Sequence, residues 1–150
     1  WSRIIKRNRL VTFYLAGSNA PRRFAAYCRN HGVSYLGEVE DARNLMKSKG
    51  LMVVPLFSGG GIRVKIIEAM ALGIPVVSTA VGAEGLDVTN GTNILISDDP
   101  EEFANAVINI LENQTFFANI GKNARIFVKE NMDGKKLANE LLTFYSDNLL

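Results

Sequence analysis

The segment SGGGIRVKIIEAMALGIPVV, residues 58–77, places Gly59, Gly60 and Gly61 directly ahead of an apolar stretch that carries Arg63, Lys65 and Glu68. Each residue type suits one part of a single chemistry. Glycines let backbone N–H groups close on an anion, and a helix beginning just beyond them adds roughly half a positive charge through its dipole. Cations in a first helical turn oppose that dipole unless something negative lies in front of it, and a phosphate or diphosphate would fill that place. The plainer reading is a loop that needs positive φ, with Arg63 and Lys65 solvated. Glu68 follows one turn deeper, about 60° around the helix from Lys65. Among Ile62, Ile66, Ile67, Ala69, Met70 and Ala71 a carboxylate must be paired or must hold a ligand. Two vicinal ribose hydroxyls would suit it. An i,i+3 pair with Lys65, worth about 0.2–0.5 kcal/mol on an exposed helix, would suit it equally, and spacing alone leaves both readings open.

Two better-known phosphate motifs do not match. The Walker loop requires G-x-x-x-x-G-K-S/T, and the dinucleotide fingerprint requires G-x-G-x-x-G after a first strand. After the first strand here only Gly17 stands in such a position. Nucleotide binding by another scheme is left. A lone His31 in a turn beside Gly32 and a lone Cys28 give no basis for a zinc site or a disulfide, and one thiol fits a reducing compartment.

The elements that must position this loop follow from apolar runs and their stops. VTFYLAG (11–17), VSYLGEV (33–39), LMVVPLF (51–57), PVVST (75–79) and NILIS (93–97) read as strands, the third as one buried on both faces. Between them lie helical segments at 21–32, with Pro21 as a first-turn proline, at 40–50 closed by Gly50, and at 62–72 stopped by Gly73 and Pro75. A helix over 98–113 takes Asp98 or Asp99 as its N-cap. Residues 115–131 carry apolar positions 116, 117, 120, 124, 127 and 128. The last helix carries 137, 138, 141, 142, 145 and 149; the two helices are expected to cover the sheet, with the last crossing to a domain outside this sequence. The alternation predicts an α/β domain, a doubly wound parallel sheet of about five Rossmann-like strands with amphipathic carboxy-terminal helices. Such sheets take ligands at the carboxyl ends of their strands, here loops 17–20, 37–40, 56–61 and 79–92.

The 150 residues fit one domain with a real core. Apolar content of 47% and charged content of 21% argue against disorder, and a net charge of +2 gives no sign of a nucleic-acid partner. The basic cluster RIIKRNR (3–9) reads as the solvated face and end of a short helix. No run approaches the roughly 20 apolar residues of a membrane span. The chain opens on Trp1 directly in a helical pattern, which suggests a piece of a longer protein.

GGGIRVKIIEAMALGIPVVSTAVGAEGL resembles the donor-binding signature of the family 4 retaining glycosyltransferases (glycosyl transferases group 1), in the variant G-G-G-x-R-x-K-x-x-E-A-M-A-x-G-x-P-V-V-S-T. VTFYLAGSNAP, VSYLGEVED, LMVVPLF and GTNILISDDPEEFANAVINILEN fall in that family's order, so the resemblance covers most of the chain. It implies the GT-B architecture, two Rossmann-like domains facing across a cleft, with residues 1–150 as the carboxy-terminal, nucleotide-sugar-binding domain. The amino-terminal acceptor domain and the first strand of the donor domain would lie outside this sequence.

The resemblance also assigns roles. Glu68 would hold the ribose hydroxyls. Amides around Gly59, Gly60, Gly61 and Ile62, with Arg63 and Lys65, would face the donor's phosphates or sugar, and the backbone near Val39 would brush the base. It implies no metal and no cofactor beyond the nucleotide-sugar substrate, because fixed cations and a helix dipole would stabilise the diphosphate leaving group. Gly60 stands where many members carry an acid for the donor sugar, eight residues before Glu68, so backbone amides would have to substitute. The implied parent is a hexosyltransferase-type enzyme in the cytoplasm, with peripheral contact at the inner membrane face left open. The isolated piece would bind donor weakly and catalyse nothing, and no catalytic residue is assignable within it. A nucleotide-sugar 2-epimerase of the same architecture and a non-catalytic binding module are the alternatives.

Overall fold

A computed structural model describes residues 1–149. The elements run α1 (Ser2–Arg7), β1 (Phe13–Ala16), α2 (Phe24–Asn30), β2 (Val33–Gly37), α3 (Ala42–Lys49), β3 (Met52–Val54), α4 (Val64–Ala71), β4 (Val76–Ser78), α5 (Ala80–Ala83), β5 (Leu95–Ile96), α6 (Pro100–Glu112), α7 (Gln114–Asn131) and α8 (Gly134–Leu149). Each strand pairing among the described residues is parallel, as the alternation of strands and helices requires. The five strands fall into two groups, β1-β2 and β3-β4-β5.

β4 shows why the fold is doubly wound. Successive side chains of a strand point to opposite faces, so Val76 enters a core with Ile66 and Met70 of α4 and Ala124 of α7. Val77 enters a second core with Ile4 of α1 and Val107 and Ile110 of α6. Both valines are fully buried, and each such side chain contributes about 1.5–3 kcal/mol. β3 departs from the expectation of burial on both faces: Met52 and Val53 are only half-buried, because one edge of this strand has no neighbour among the described residues.

Local chemistry sets the helix ends. Asp99, not Asp98, caps α6, its carboxylate accepting from the amides of Glu101 and Glu102 at 2.8 and 2.9 Å. α2 begins at Phe24 and not at Pro21. Residues 21–23 form a turn closed by the Phe24 amide on the Pro21 carbonyl, and Arg23 at the N-cap makes no side-chain cap bond. The basic cluster at the front is only partly solvated, since Arg3 and Arg7 both pair with Glu101 of α6.

α7 packs as expected, burying Ile120, Gly121 and Ala124. α8 does not. Leu137, Ala138, Leu141, Leu142 and Tyr145 are all exposed, so this helix leaves its apolar stripe uncovered by the sheet. The side chain at position 149 lies outside the described residues. No helix among those described is long and apolar enough to cross a membrane.

Candidate functional site

The glycine loop leaves the carboxyl end of β3 and enters α4. Gly59 and Gly61 adopt φ values of 139° and 80°, left-handed backbone that glycine takes without steric cost. Those angles delay the helix to Val64, two residues later than the 62–72 pattern suggests, and leave Ile62 outside it and exposed. Among the described residues no backbone N–H from Phe57 to Arg63 has a hydrogen-bond acceptor. The loop therefore presents a row of free donors beside a helix N-terminus.

Arg63 occupies the N-cap position without capping the helix. Its guanidinium folds back over the loop, Nη1 donating to the Gly60 and Gly61 carbonyls at 2.5 and 2.7 Å. Its Nε is buried and has no acceptor among the described residues. In this arrangement Arg63 clamps the loop, and it would have to leave those carbonyls before facing a bound anion. Lys65 is exposed and donates to Glu68 Oε2 at 2.6 Å, so the i,i+3 pair is formed. The Glu68 side chain keeps 26% of its exposure, enough for a ligand to reach the carboxylate. The helix around it is half-buried, with Ile66, Ala69 and Met70 inside and Ala71 exposed.

A second strand-end loop is tied to the first. Thr79, which follows β4, donates through Oγ1 to the Leu56 carbonyl at 2.5 Å and accepts from the Gly82 amide at 3.2 Å. Its own amide donates to the Val54 carbonyl, and the Asp98 carboxylate accepts from Ala80 N–H at 2.8 Å. A β-carbon on Gly85 would meet Ile62 Cγ1 at 3.3 Å, so loop 79–92 lies against the exit of the glycine loop. Sequence reasoning missed Thr79 and Asp98. The available signal was a threonine at the N-cap position directly after a strand.

Thr79→Val keeps the side-chain volume and removes the hydroxyl. It should lower stability by about 1–2 kcal/mol through the lost cap and the carbonyl left without its donor. An unchanged thermal midpoint would show that the tie carries no weight.

The structure gathers Gly59, Gly60, Gly61, Ile62, Arg63, Lys65 and Glu68 on one strand–loop–helix unit. Val39 lies in the loop after β2, in the other strand group, half-buried and sharing no hydrogen bond with the glycine loop. Among the described residues no group of three or more His, Cys, Asp or Glu side chains could hold a metal ion.

Parallel strands covered on both faces, with a donor-rich loop at a strand's carboxyl end, define a Rossmann-like domain. The chain belongs to the glycosyl transferases group 1 family, whose profile matches residues 1–113, and it is a glycosyltransferase domain. It is 32% identical over 98 residues to an uncharacterized 44.6 kDa protein in the cps region of Klebsiella pneumoniae, a match over 65% of this chain and 25% of that one. It is 29% identical over 123 residues to an uncharacterized glycosyltransferase of Methanocaldococcus jannaschii, over 79% of this chain and 31% of that one. The chain thus spans between a quarter and a third of these curated relatives. Its fold superimposes with a TM-score of 0.80 on Anabaena HepE, solved in complex with UDP, at 21% identity over 97% of this chain and 44% of that one.

Proposed function

We propose that residues 1–150 are the carboxy-terminal, donor-binding domain of a two-domain glycosyltransferase that moves a hexose from a nucleotide-diphosphate sugar to an acceptor with retention of configuration. The observation that carries this reading is the row of unpaired amides from Phe57 to Arg63, set at the mouth of α4 with the Glu68 carboxylate one turn beyond. The amides and the dipole of α4 receive the diphosphate, and Lys65 adds a mobile positive charge. Glu68 exchanges its bond to Lys65 for the ribose hydroxyls, or keeps both. Facing the phosphates, Arg63 releases the Gly60 and Gly61 carbonyls; otherwise it holds the loop in shape. The backbone near Val39 faces the base.

As the diphosphate leaves the sugar, these donors stabilise the negative charge that develops on its oxygens, and no metal or further cofactor is required. Family membership and the UDP complex of the similar Anabaena protein support a nucleotide-sugar donor. The acceptor is held by an amino-terminal domain outside this sequence. The uncovered stripe of α8 fits a helix that packs on that domain and not on this sheet. The enzyme acts in the cytoplasm, and the 150 residues alone bind donor weakly without turnover.

Calorimetric titration of the full-length parent with UDP-, GDP- and ADP-sugars tests the reading. One base should give saturable heat, and Gly61→Val should weaken it at least about 10-fold, since a β-branched side chain resists the left-handed backbone the loop requires. Absence of heat with all three donors would overturn the donor assignment. Sugar rearranged by full-length protein with donor alone would favour the epimerase alternative.

A further inference from the structure

We propose that Arg63 is a positioning residue for the donor and not one of its ligands: by holding two carbonyls of the glycine loop it aims the Gly61 and Ile62 amides at the diphosphate. The inference rests on the donor reading above and decides a role that reading leaves open. A trans peptide holds its N–H opposite its C=O in one plane. Fixing the Gly60 carbonyl therefore fixes the Gly61 N–H, and fixing the Gly61 carbonyl fixes the Ile62 N–H. Both carbonyls accept from the same atom, Arg63 Nη1, at 2.5 and 2.7 Å, and no peptide bond among the described residues is cis. The two amides thus point away from the guanidinium. Successive N–H groups presented together in this way form a concave seat for an anion.

The three glycines fit the same device. A β-carbon on Gly59 would stand 2.5 Å from Arg63 Nη2, so an alanine there would push the guanidinium off its seat. At Gly60 and Gly61 a β-carbon would meet nothing within 4 Å, so the loop around the aimed amides is open. Arg63 itself is half-buried and its Nε is buried, which lodges the side chain against the loop and not in free solvent. Nη1 carries two hydrogens and gives one to each carbonyl. A lysine would keep the charge but ends one bond short of Nη1 and lacks the planar fork.

Two arguments keep Arg63 in place when the anion arrives. Among the described residues the Gly60 and Gly61 carbonyls have no other donor. If the guanidinium swung out, both peptides would lose the bond that orients them, and a carbonyl could turn toward the same anion. The second argument is charge. A cation at the N-cap of α4 opposes the helix dipole, and the two carbonyl oxygens supply the negative partner that this position needs. The charge still reaches the ligand, because a carbonyl bonded to a cation polarises its own peptide and strengthens the N–H as a donor.

The test uses the full-length parent, unmodified and as Arg63→Lys and Arg63→Met, with two readouts. One is calorimetry with UDP, GDP and ADP beside uridine, guanosine and adenosine. The other is the heteronuclear NOE of the Gly61 and Ile62 amides in the ligand-free protein, which reports loop order whether or not any nucleotide binds. A positioning role predicts that both variants weaken the nucleotide that binds by about 10-fold or more and leave its nucleoside within about 2-fold. It also predicts that both amides, ordered in the unmodified protein, loosen in both variants.

Full affinity in Arg63→Lys with loss only in Arg63→Met would overturn the proposal, because the nucleotide would then read the charge and not the geometry. Unchanged affinity in both variants would overturn it as well. So would amides that keep their order in the variants, or that lack it in the unmodified protein. An equal loss of nucleotide and nucleoside would mark a general structural defect and count against it too. Silence with all six compounds overturns the donor reading instead. The clamp is then decided by the amides alone, upheld if both loosen in both variants and overturned if they do not.

Discussion

Replacing Gly121 with alanine is expected to lower stability by about 3 kcal/mol, the upper end for an overpacked core. α7 crosses the turn after α4 at this residue. A β-carbon there would lie 2.3 Å from the Gly73 carbonyl oxygen, 3.2 Å from its carbon and 3.5 Å from Pro75 Cδ. The obstacle is backbone, which cannot swing aside as a long side chain would. Gly73 is itself fixed: it sits at φ 74° and donates to the Met70 carbonyl, while the next amide, of Ile74, donates to Ala69. Relief must come from lifting α7, which would uncover Ala124 and the core it shares with Ile66 and Met70. Gly134→Ala provides the control, because nothing lies within 4 Å of its β-carbon position and the residue opens a helix. Urea unfolding should give a lower midpoint at unchanged slope for Gly121→Ala and no loss for Gly134→Ala. Coincident curves for the two variants would refute the close-packing argument.

The strand–helix alternation was legible because its signals are local. Apolar runs end at Gly50, Gly73 and Pro75, and an aspartate precedes the acidic first turn of α6. The grouping of strands was not legible, since the order in which parallel strands pair is decided by tertiary contacts and no single run encodes it. For the same reason LMVVPLF reads as a fully buried strand, yet only Met52–Val54 are extended and their outer edge is bare. Periodicity on α8 told correctly that one face is apolar. It could not tell what covers that face, and the sheet does not. Within the site, the types and spacing of Gly59 to Glu68 placed the loop, placed the helix start to within two residues, and offered the Lys65–Glu68 pair as one of two readings. They could not place the Arg63 guanidinium, because a long side chain beside free carbonyls is drawn to the nearest acceptors, here Gly60 and Gly61. PRR at 21–23 misled in the opposite direction. A proline suits a first turn, but with no side-chain acceptor to cap the helix the turn stays separate and α2 starts at Phe24.

Glu68→Gln in the full-length parent is expected to weaken nucleotide binding about 10- to 100-fold, the equivalent of one charge-assisted hydrogen bond. The substitution preserves shape and removes the charge. Its effect on folding should be small, because the bond lost is an i,i+3 pair whose lysine is mostly exposed, worth about 0.2–0.5 kcal/mol or less. The two roles open to Glu68 therefore separate by readout. A ribose partner predicts lost affinity with an almost unchanged thermal midpoint. It further predicts that a 2′-deoxynucleotide binds more weakly than its ribonucleotide to the unmodified protein and nearly as well as it to the variant, since the hydroxyl and the carboxylate report on the same bond. A purely structural pair predicts that Glu68→Gln and Lys65→Met shift the midpoint alike and leave affinity untouched. Lys65→Met adds one more discrimination. If Lys65 serves the diphosphate, its loss should weaken the nucleotide diphosphate and leave the nucleoside unaffected. If it only holds Glu68, its loss frees the carboxylate and should leave both affinities at or above the original value.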